Sequence, residues 1–379
     1  MSANILWFTV VSSYIVQTKC FSRILSRQKY SSYNNSDGAD NSDGVSTPIQ
    51  NLSVQMAIVY FASWLLLLPI ARIWNITTLK SSALESGAES SSSLNLVRST
   101  DNFFDETTNG SRWTRIRERF RFCSKILLLS ILLVIPIISY TVALSLSPAF
   151  DVTLIQNTST FEIVTLLYGV FNIAKRKNVF RNFVIMMVAL MGILIVSYTN
   201  ATCDLLAGKL SINKETGEVN DPFLFDRLKA SLLCGLCSLA LGPFAVLSQK
   251  WLTNQRAETN RKTLFFITIT CIVLLLPLLP KDSKFFATMA EDNLGCFLLL
   301  GIVGGIVPNV ISIIMLNKCS APEFITTTNL AIIVLMGLSQ WICESNETFI
   351  VRWEVIGYLM LTVSGLALFF TLRPVKNRN

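Results

Sequence analysis

Apolar runs of about 20 residues recur along this 379-residue chain and are separated by short charged segments. A helix rises about 1.5 Å per residue, so about 20 apolar residues are needed to cross the hydrocarbon core of a bilayer. Charged residues make up only 15% of the chain and cluster between the runs, whereas soluble domains carry roughly 25%. The sequence therefore predicts an all-α polytopic membrane protein.

Ten of these runs are predicted to be transmembrane helices, and basic residues orient them. The runs are residues 5–21, 52–74, 125–146, 149–171, 180–198, 228–251, 263–280, 293–316, 321–343 and 352–372. Most of the 32 Lys and Arg residues are cytoplasmic if both termini are cytoplasmic, as the positive-inside rule expects. The basic residues that follow the first run, from Lys19 to Lys29, fall on the opposite side. Nine spans with an outside N-terminus is therefore the alternative.

The second half of the chain repeats features of the first at an offset of about 172 residues. A Ser147-Pro148 turn precedes the fourth run, as Ser320-Ala321-Pro322 precedes the ninth. Gly192 in the fifth run likewise matches Gly365 in the tenth. A repeat of five helices is odd in number, so the two copies are predicted to lie in opposite orientations in the membrane.

The predicted domain organisation follows from this repeat. Residues 1–198 form the first five-helix repeat, residues 199–227 a lumenal linker, and residues 228–379 the second repeat with a short basic cytoplasmic tail. The first repeat contains a lumenal loop at 22–51. It also contains a cytoplasmic loop at 75–123, which is Ser-rich and predicted to be disordered at its start and is basic at its end.

A family resemblance is carried by the end of the third run and the start of the fourth. The matching pattern is Tyr140-x-x-Ala143-Leu144-x-x-Ser147-Pro148-Ala149, followed by Asp151-Val152 and Thr158-Ser159-x-Phe161. It resembles the drug/metabolite transporter superfamily, in particular EamA-type and solute carrier 35-like members related to fungal nucleotide-sugar transporters. The resemblance implies secondary-active transport of a small metabolite by alternating access, coupled to protons or run as exchange. It also implies an intracellular membrane, that of the Golgi, endoplasmic reticulum or vacuole.

Glu162 is the clearest candidate for a functional group. It lies about 13 residues into the fourth run, near mid-membrane, where an ionised carboxylate is costly. By helical spacing it shares a face with Ser159 and Thr158. The hypothesis is a substrate or proton site facing a central cavity. The alternative is a structural carboxylate that is hydrogen-bonded to a neighbouring helix.

Further polar residues of the apolar runs are candidates for substrate binding. They are Tyr140, Asn157, Ser159, Asn309, Asn317, Lys318 and Asn329. Leu316-Asn317-Lys318 resembles a motif of some nucleotide-sugar transporters, which implies contact with substrate, although Lys318 is equally explained as a topology charge. Glu162 is acidic, so the residues favour a neutral or cationic metabolite as much as a sugar nucleotide.

Several functional classes are excluded or disfavoured. The chain has no histidine, which removes His-based acid–base catalysis and most zinc sites. Cys234 and Cys237 lie within an apolar helix, where packing as small hydrophobes is favoured over a redox or metal pair. A disulfide between Cys203 and Cys343 is left open. No metal, cofactor or catalytic residue is predicted, and the chain is predicted not to be an enzyme.

Surface features supply the alternative function. Residues Arg112–Arg121 interleave arginines with aromatic residues, which favours anionic lipid over nucleic acid as the ligand. Asn34 begins the sequon Asn34-Asn35-Ser36 and is a predicted glycosylation site if it is lumenal. The alternative to a transporter is a non-transporting membrane scaffold or receptor that acts through loop 75–123. The sequence does not predict an oligomeric state.

Overall fold

The computed structural model describes residues 3–34, 46–67, 69, 112–171, 184–185, 187–196, 224–252, 257–279, 294–320, 322–343 and 352–372. Within these residues the chain forms ten helices, and no strand occurs among them. They are α1 (Ala3–Asn34), α2 (Ser46–Leu65), α3 (Arg112–Leu146), α4 (Ala149–Val170), α5 (Met187–Val196), α6 (Leu224–Leu252), α7 (Ala257–Leu275), α8, α9 (Pro322–Cys343) and α10 (Arg352–Leu372). Helix α8 consists of α-helical Leu294–Leu300, π-helical Gly301–Ile306 and α-helical Val307–Cys319. The predicted all-helical class is confirmed.

Composition marks this bundle as a multi-pass membrane protein. Four helical stretches are long and apolar enough to cross a bilayer: Phe120–Leu146, Leu228–Trp251, Leu294–Asn317 and Phe324–Ile342. Four shorter apolar helices lie within α2, α5, α7 and α10. Among the described helices α1 and α4 belong to neither group.

The two largest of four clusters of buried apolar side chains hold most of the described helices together. The larger cluster draws on α1, α2, α3, α4, α6, α7 and α8. The smaller one lies between α4, α5, α9 and α10. Helix α4 contributes to both, with Val152 in the larger and Phe161 in the smaller. Its polar side chains are therefore enclosed by other helices on more than one side.

Helix α1 differs most from the sequence-based expectation. The apolar run 5–21 is only the first part of a 32-residue helix, which is roughly 48 Å long at the usual rise. Trp7 Nε1 donates to Thr327 Oγ1 of α9 at 2.9 Å, and its ring packs on Phe369 of α10. The same helix contacts α2, α3, α4 and α8. A segment with little hydropathy of its own is thus placed at the centre of the bundle.

The boundaries of two predicted loops also differ from the structure. Helix α1 continues to Asn34, into the predicted loop 22–51, and α3 begins at Arg112, within the predicted loop 75–123. No glycine or proline interrupts the chain between Arg112 and Pro136, so nothing confines the helix to the apolar run, and it starts 13 residues before the run begins. The side chains of Arg117, Phe120 and Arg121 are exposed on this extension.

Candidate functional site

A cluster of neutral polar side chains centres on Tyr14 of α1. The Tyr14 hydroxyl donates to Gln156 Oε1 at 3.3 Å and accepts from Asn157 Nδ2 at 3.3 Å. Asn157 Nδ2 also donates to the Thr153 carbonyl at 2.8 Å. Gln156 and Asn157 are both buried. Because Gln156 and Asn157 are buried, these bonds to Tyr14 fix the rotation of α4 relative to α1.

Two further helices contribute to this cluster. Tyr140 of α3 shares a 2.8 Å hydrogen bond with Thr18 of α1, and the rings of Tyr140 and Tyr14 are 6.4 Å apart. Ser238 of α6 donates to the Gln156 carbonyl at 3.1 Å. We call these residues, Tyr14, Thr18, Tyr140, Gln156, Asn157 and Ser238, the Tyr14 cluster. It connects α1, α3, α4 and α6 through groups that carry no charge at neutral pH.

Helix α8 crosses α1 on another side, at its π-helical segment. A Cβ placed on Gly305 would meet the Cβ, Cα and N of Gln17 at 2.7, 2.9 and 3.0 Å. A Cβ on Gly301 would meet Phe21 and Cys20 at 3.2 and 3.3 Å. The two helices run antiparallel here, since residues earlier in α8 contact residues later in α1. Glycine is required at these positions because it has no side chain, and any larger residue would prevent the helices from approaching this closely.

Unpartnered acceptors and a cation lie along the same crossing. Gln17 Oε1 and Asn309 Oδ1 are both buried and have no hydrogen-bond partner among the described residues. The Gln17 residue is 3% exposed and the Asn309 residue is 6% exposed. Asn309 lies four residues after Gly305 and so on the same face of α8. Near the other end, the Arg23 guanidinium lies 5.0 Å from the Phe297 ring centroid. We call this set, Gln17, Arg23, Phe297, Gly305 and Asn309, the α1–α8 junction.

The structure divides the predicted site residues between several places. Tyr140 and Asn157 meet in the Tyr14 cluster, and Asn309 lies at the α1–α8 junction. Glu162, Asn317 and Asn329 are half-buried and form no part of either set, and Ser159 donates only within α4, to the Ile155 carbonyl at 2.8 Å. The side chains of Lys318 and Asn34 lie outside the described residues.

Sequence reasoning missed Tyr14 and Gln17, although a signal for both was present. They lie in the apolar run 5–21, which is interrupted by several polar residues. Polar groups inside a membrane bundle usually face its interior rather than lipid. That rule, applied to α1, would have identified both residues.

The cysteines give no sign of a metal or redox centre where they are described. Cys234 and Cys237 are buried and free, and the Cys234 thiol lies 3.9 Å from the Val152 carbonyl. No group of three potential metal ligands occurs among the described residues. Cys203 lies outside them, as does the side chain of Cys343.

Replacing Tyr14 with Phe tests whether the Tyr14 cluster holds α1 in place. The change removes the donor to Gln156 Oε1 and the acceptor for Asn157, and leaves two buried amides less satisfied. We expect the free energy of unfolding to fall by about 1–2 kcal/mol in thermal or denaturant melts of the detergent-purified chain. Ser159→Ala, which removes a bond within one helix only, is the matched control and should change stability by less than about 0.5 kcal/mol. Equal effects of the two variants would count against the cluster.

Comparisons with known proteins give a consistent picture. The model of the family described as "CSG2: Ceramide synthase regulator" matches residues 1–372. A Saccharomyces cerevisiae protein, "Mannosyl phosphorylinositol ceramide synthase regulatory protein CSG2", is 41% identical over 407 aligned residues, which cover 99% of each chain. A crystal structure of another protein covers 99% of both chains at 12% identity with a TM-score of 0.48, which is too low a likeness to carry an argument.

These matches overturn the transporter interpretation. The assignment to the drug/metabolite transporter superfamily is wrong, and so are the secondary-transport function and the transported small molecule as partner. The pattern from Tyr140 to Phe161 combines a turn, small residues and polar groups on one helical face. Those features serve close helix packing in many membrane proteins and do not distinguish a carrier from a regulator. The prediction that the chain is not itself an enzyme is confirmed by a match to a family of regulators.

Proposed function

Because the chain belongs to the CSG2 family of ceramide synthase regulators, we propose that it regulates a mannosyl phosphorylinositol ceramide synthase by binding the catalytic subunit of that enzyme in the membrane. The observation that carries this proposal is the 41% identity to the yeast regulatory protein across 99% of both chains. An alignment of that extent includes every described helix. The whole bundle, rather than one domain of it, is therefore the regulatory unit.

The physical character of the Tyr14 cluster agrees with a regulatory role. Its hydrogen bonds join α1, α3, α4 and α6 through neutral groups. Satisfied polar networks of this kind specify one arrangement of packed helices, since any slippage leaves buried donors and acceptors without partners. A defined helix arrangement presents a constant lateral surface, which is what a membrane-embedded partner needs in order to bind.

We further propose that the ten helices form two inverted five-helix repeats. In such a repeat α1–α5 would correspond in order to α6–α10. The contact of α3 with α6 would then have its equivalent in the contact of α8 with α1, and the contact of α4 with α6 in that of α9 with α1. All four contacts are present. The pairs α2–α7 and α4–α9 would each lie across the pseudo-two-fold axis, and both are in contact. Gly192 of α5 also packs against Gly357 of α10. These contacts support the repeat. The boundaries 1–198, 199–227 and 228–379 stay a prediction, because residues 197–223 lie outside the part of the chain that the structure describes.

The regulator is proposed to reside where its synthase resides. A multi-pass protein of this family acts on an enzyme of sphingolipid synthesis, so we place it in an intracellular membrane, that of the endoplasmic reticulum or Golgi. Glycosylation at Asn34 would locate the segment after α1 in the lumen. If Asn34 is glycosylated, glycosidase treatment should reduce the apparent mass of the purified protein. The Asn34→Gln variant is the control and should show no change.

Complementation tests the proposed function. Saccharomyces cerevisiae cells that lack their own regulatory protein should regain mannosyl phosphorylinositol ceramide when they express this chain, because the two proteins align from end to end. Lipid extracts analysed by mass spectrometry give the ratio of mannosylated to unmannosylated inositol phosphoceramide. The chain should also co-purify with the synthase catalytic subunit from mild detergent. The proposal would be wrong if cells that express the folded chain had the same lipid ratio as cells with the empty vector and the chain did not co-purify with the catalytic subunit.

A second arm of that experiment tests the scaffold interpretation of loop 75–123. Residues 75–111 lie outside the described residues, and residues 112–123 form the start of α3. A chain lacking 75–111 keeps every described helix. If the loop contacts the synthase, this deletion abolishes complementation while leaving the melting temperature unchanged. Full complementation by the deletion variant assigns regulation to the bundle alone.

A further inference from the structure

Glu162 of α4 carries a carboxylate that the described part of the chain leaves unpaired. Among the described residues, no group donates a hydrogen bond to this carboxylate and no cation pairs with it. Inside a bilayer such a group is costly, because it must either remain ionised without compensation or take up a proton at neutral pH. The carboxylate therefore requires a partner that these residues do not supply.

Contacts between α4 and α6 place Glu162 at membrane depth. Ser238 of α6 donates to the Gln156 carbonyl of α4, and further along both helices Gly242 approaches Ile163. The two helices therefore run side by side in the same direction. Gly242 lies well inside the stretch of α6 that is long and apolar enough to cross a bilayer. Glu162 precedes Ile163 directly and so lies at the same depth.

The carboxylate lies on the outer side of α4. Ser159, Glu162 and Leu166 share one helical face by their spacing of three and four residues, and Leu166 is 65% exposed. Asn157, which donates to Tyr14 of α1, lies on the opposite side of the helix. The Glu162 side chain is only half-buried, so another molecule in the membrane can reach it.

The outer side of α6 continues this surface. Leu232 and Leu239 are 68% and 62% exposed, and Gly235 lies between them on the same helical face. Cys237 lies on the opposite side of α6 and is buried in the larger apolar cluster. Both helices thus turn one side to the bundle interior and the other side outward. We call the outward surface the α4–α6 face; it consists of Ser159, Glu162, Leu166, Leu232, Gly235 and Leu239.

Gly235 indicates how closely another molecule can approach this face. It is the one described glycine at which an added Cβ would meet nothing within 4 Å. Glycine inside a helix is less stable than alanine, and no close contact within the described chain explains its presence here. At helix crossings in membranes, glycine lets two backbones come close together. The open space at Gly235 therefore fits a helix that comes from another protein.

We propose that the α4–α6 face binds a transmembrane helix of the synthase catalytic subunit, and that a lysine or arginine of this helix pairs with Glu162. Exposed leucines flank the carboxylate, so its partner lies in the hydrocarbon core, where a helix satisfies its own backbone hydrogen bonds. A basic side chain supplies the opposite charge together with hydrogen-bond donors. Each charge is unfavourable in the membrane without the other, so the pair selects this partner over uncharged helices. The inference rests on the proposed function, since it locates the contact through which the regulator binds its enzyme.

Photo-crosslinking tests where the catalytic subunit binds. The photoreactive residue p-benzoylphenylalanine replaces Leu239 in the full-length chain, which is expressed in Saccharomyces cerevisiae cells that lack their own regulatory protein. The matched control carries the same residue in place of Val363, an exposed position of α10. We expect irradiation to attach the catalytic subunit to the Leu239 variant and not to the Val363 variant. Mass spectrometry of the cross-linked peptide should identify a transmembrane segment that contains a lysine or arginine.

Substitutions at Glu162 test the charge pair. Glu162→Gln removes the charge but keeps a hydrogen-bonding side chain, and co-purification of the catalytic subunit should fall by about tenfold. Glu162→Asp keeps the charge and should retain most of the co-purification. Neither change should lower the melting temperature of the chain alone. Glu162→Lys should abolish co-purification, and changing the basic residue of the cross-linked segment to glutamate should restore it.

A substitution at Gly235 tests the close approach independently of charge. Gly235→Leu places a bulky side chain in the open space, so it should reduce co-purification by about tenfold or more. The melting temperature of the chain alone should not fall, because an added Cβ meets no atom of the described chain there. A melting temperature that stays constant while binding is lost distinguishes a blocked surface from a misfolded protein.

The outcomes keep this inference separate from the proposed function. If the Glu162→Gln and Gly235→Leu variants co-purify with the catalytic subunit as the unaltered chain does, the proposed function stands and the inference is wrong. Cross-linking of the catalytic subunit from position 363 but not from 239 leads to the same conclusion. A cross-link from position 239 to residues 172–183 of the same chain also contradicts the inference, because the protein would then cover this face itself. An unaltered chain that neither complements nor co-purifies removes the proposed function and the inference together.

Discussion

Replacing Gly305 with Ala should lower the free energy of unfolding by about 3 kcal/mol, at the upper end of what overpacking costs. The new Cβ would lie 2.7 Å from Gln17 Cβ and 2.9–3.0 Å from the Gln17 Cα and N atoms. Backbone atoms cannot rotate away as a long side chain can, so α1 and α8 must separate. Every contact along their crossing weakens as a result.

Gly304, next to Gly305, and Gly235 of α6 provide matched controls for this substitution. A Cβ on Gly304 meets nothing closer than 3.5 Å, and one on Gly235 meets nothing within 4 Å. Ala at Gly235 should leave stability unchanged or raise it by up to about 1 kcal/mol, because alanine is the better helix former. Denaturant melts of the three variants in one detergent give the comparison. A Gly305→Ala variant as stable as Gly235→Ala would show that α1 and α8 do not approach as closely as the structure has it.

Alanine at both Gly192 and Gly357 should cost less than the sum of the two single substitutions. Each glycine's added Cβ would lie 3.0 Å from the carbonyl oxygen of the other, across the crossing of α5 and α10. Each single variant should lose about 2 kcal/mol, because it forces these helices apart. Once the first substitution has separated the two helices, the second Cβ can be accommodated with little further movement. A double-mutant cycle on the free energy of unfolding should therefore show a coupling of about 1 kcal/mol.

The cycle has its own control at the other end of α10. Gly365 is the residue that the repeat offset pairs with Gly192, but a Cβ on Gly365 meets nothing nearer than 3.9 Å. Gly192→Ala with Gly365→Ala should therefore behave additively, within about 0.5 kcal/mol. Coupling in this second pair, or additivity in the first, would contradict the packing of α5 against α10.

The same pair of glycines illustrates what the sequence could and could not predict. A constant offset relates the fifth run to the tenth in the sequence, and the two helices are neighbours in the structure. The offset could not predict which glycines touch. Residues at equivalent repeat positions are related by a rotation of one repeat onto the other, whereas contact depends on where the two helices cross. Hydropathy likewise located most of the helices, since about 20 apolar residues leave few alternatives in a bilayer.

Helix α1 shows why the candidate site was only half predicted. Tyr140 and Asn157 stood out because they interrupt otherwise apolar runs, and both lie in the Tyr14 cluster. Their partners on α1 were not identified because no polar residue of the run 5–21 was considered as a candidate. The helix is stabilised by α8, α9 and α10, which lie about 300 residues later in the sequence, and no local pattern records such distant packing.

The transporter interpretation failed for a related reason. The residues behind it describe how neighbouring membrane helices turn and pack, and that requirement is shared by proteins of unrelated function. Glu162, the residue most suggestive of coupled transport, is half-buried and lies outside both the Tyr14 cluster and the α1–α8 junction. An acidic residue in an apolar run is a reason to look for a function, but it does not identify one.

The crossing of α1 with α8 also has a consequence for how the protein is made. At 5–20 residues per second, the ribosome needs about 15–60 s to travel from Gln17 to Gly305. Throughout that interval Gln17 lies in the membrane without α8, the helix that later covers it. A nascent chain that stops before α8 therefore leaves the polar side chain of Gln17 exposed to the factors that monitor newly inserted membrane proteins. Quality-control factors should therefore recognise chains truncated before α8 at their N-terminal helix, far in sequence from the site of truncation.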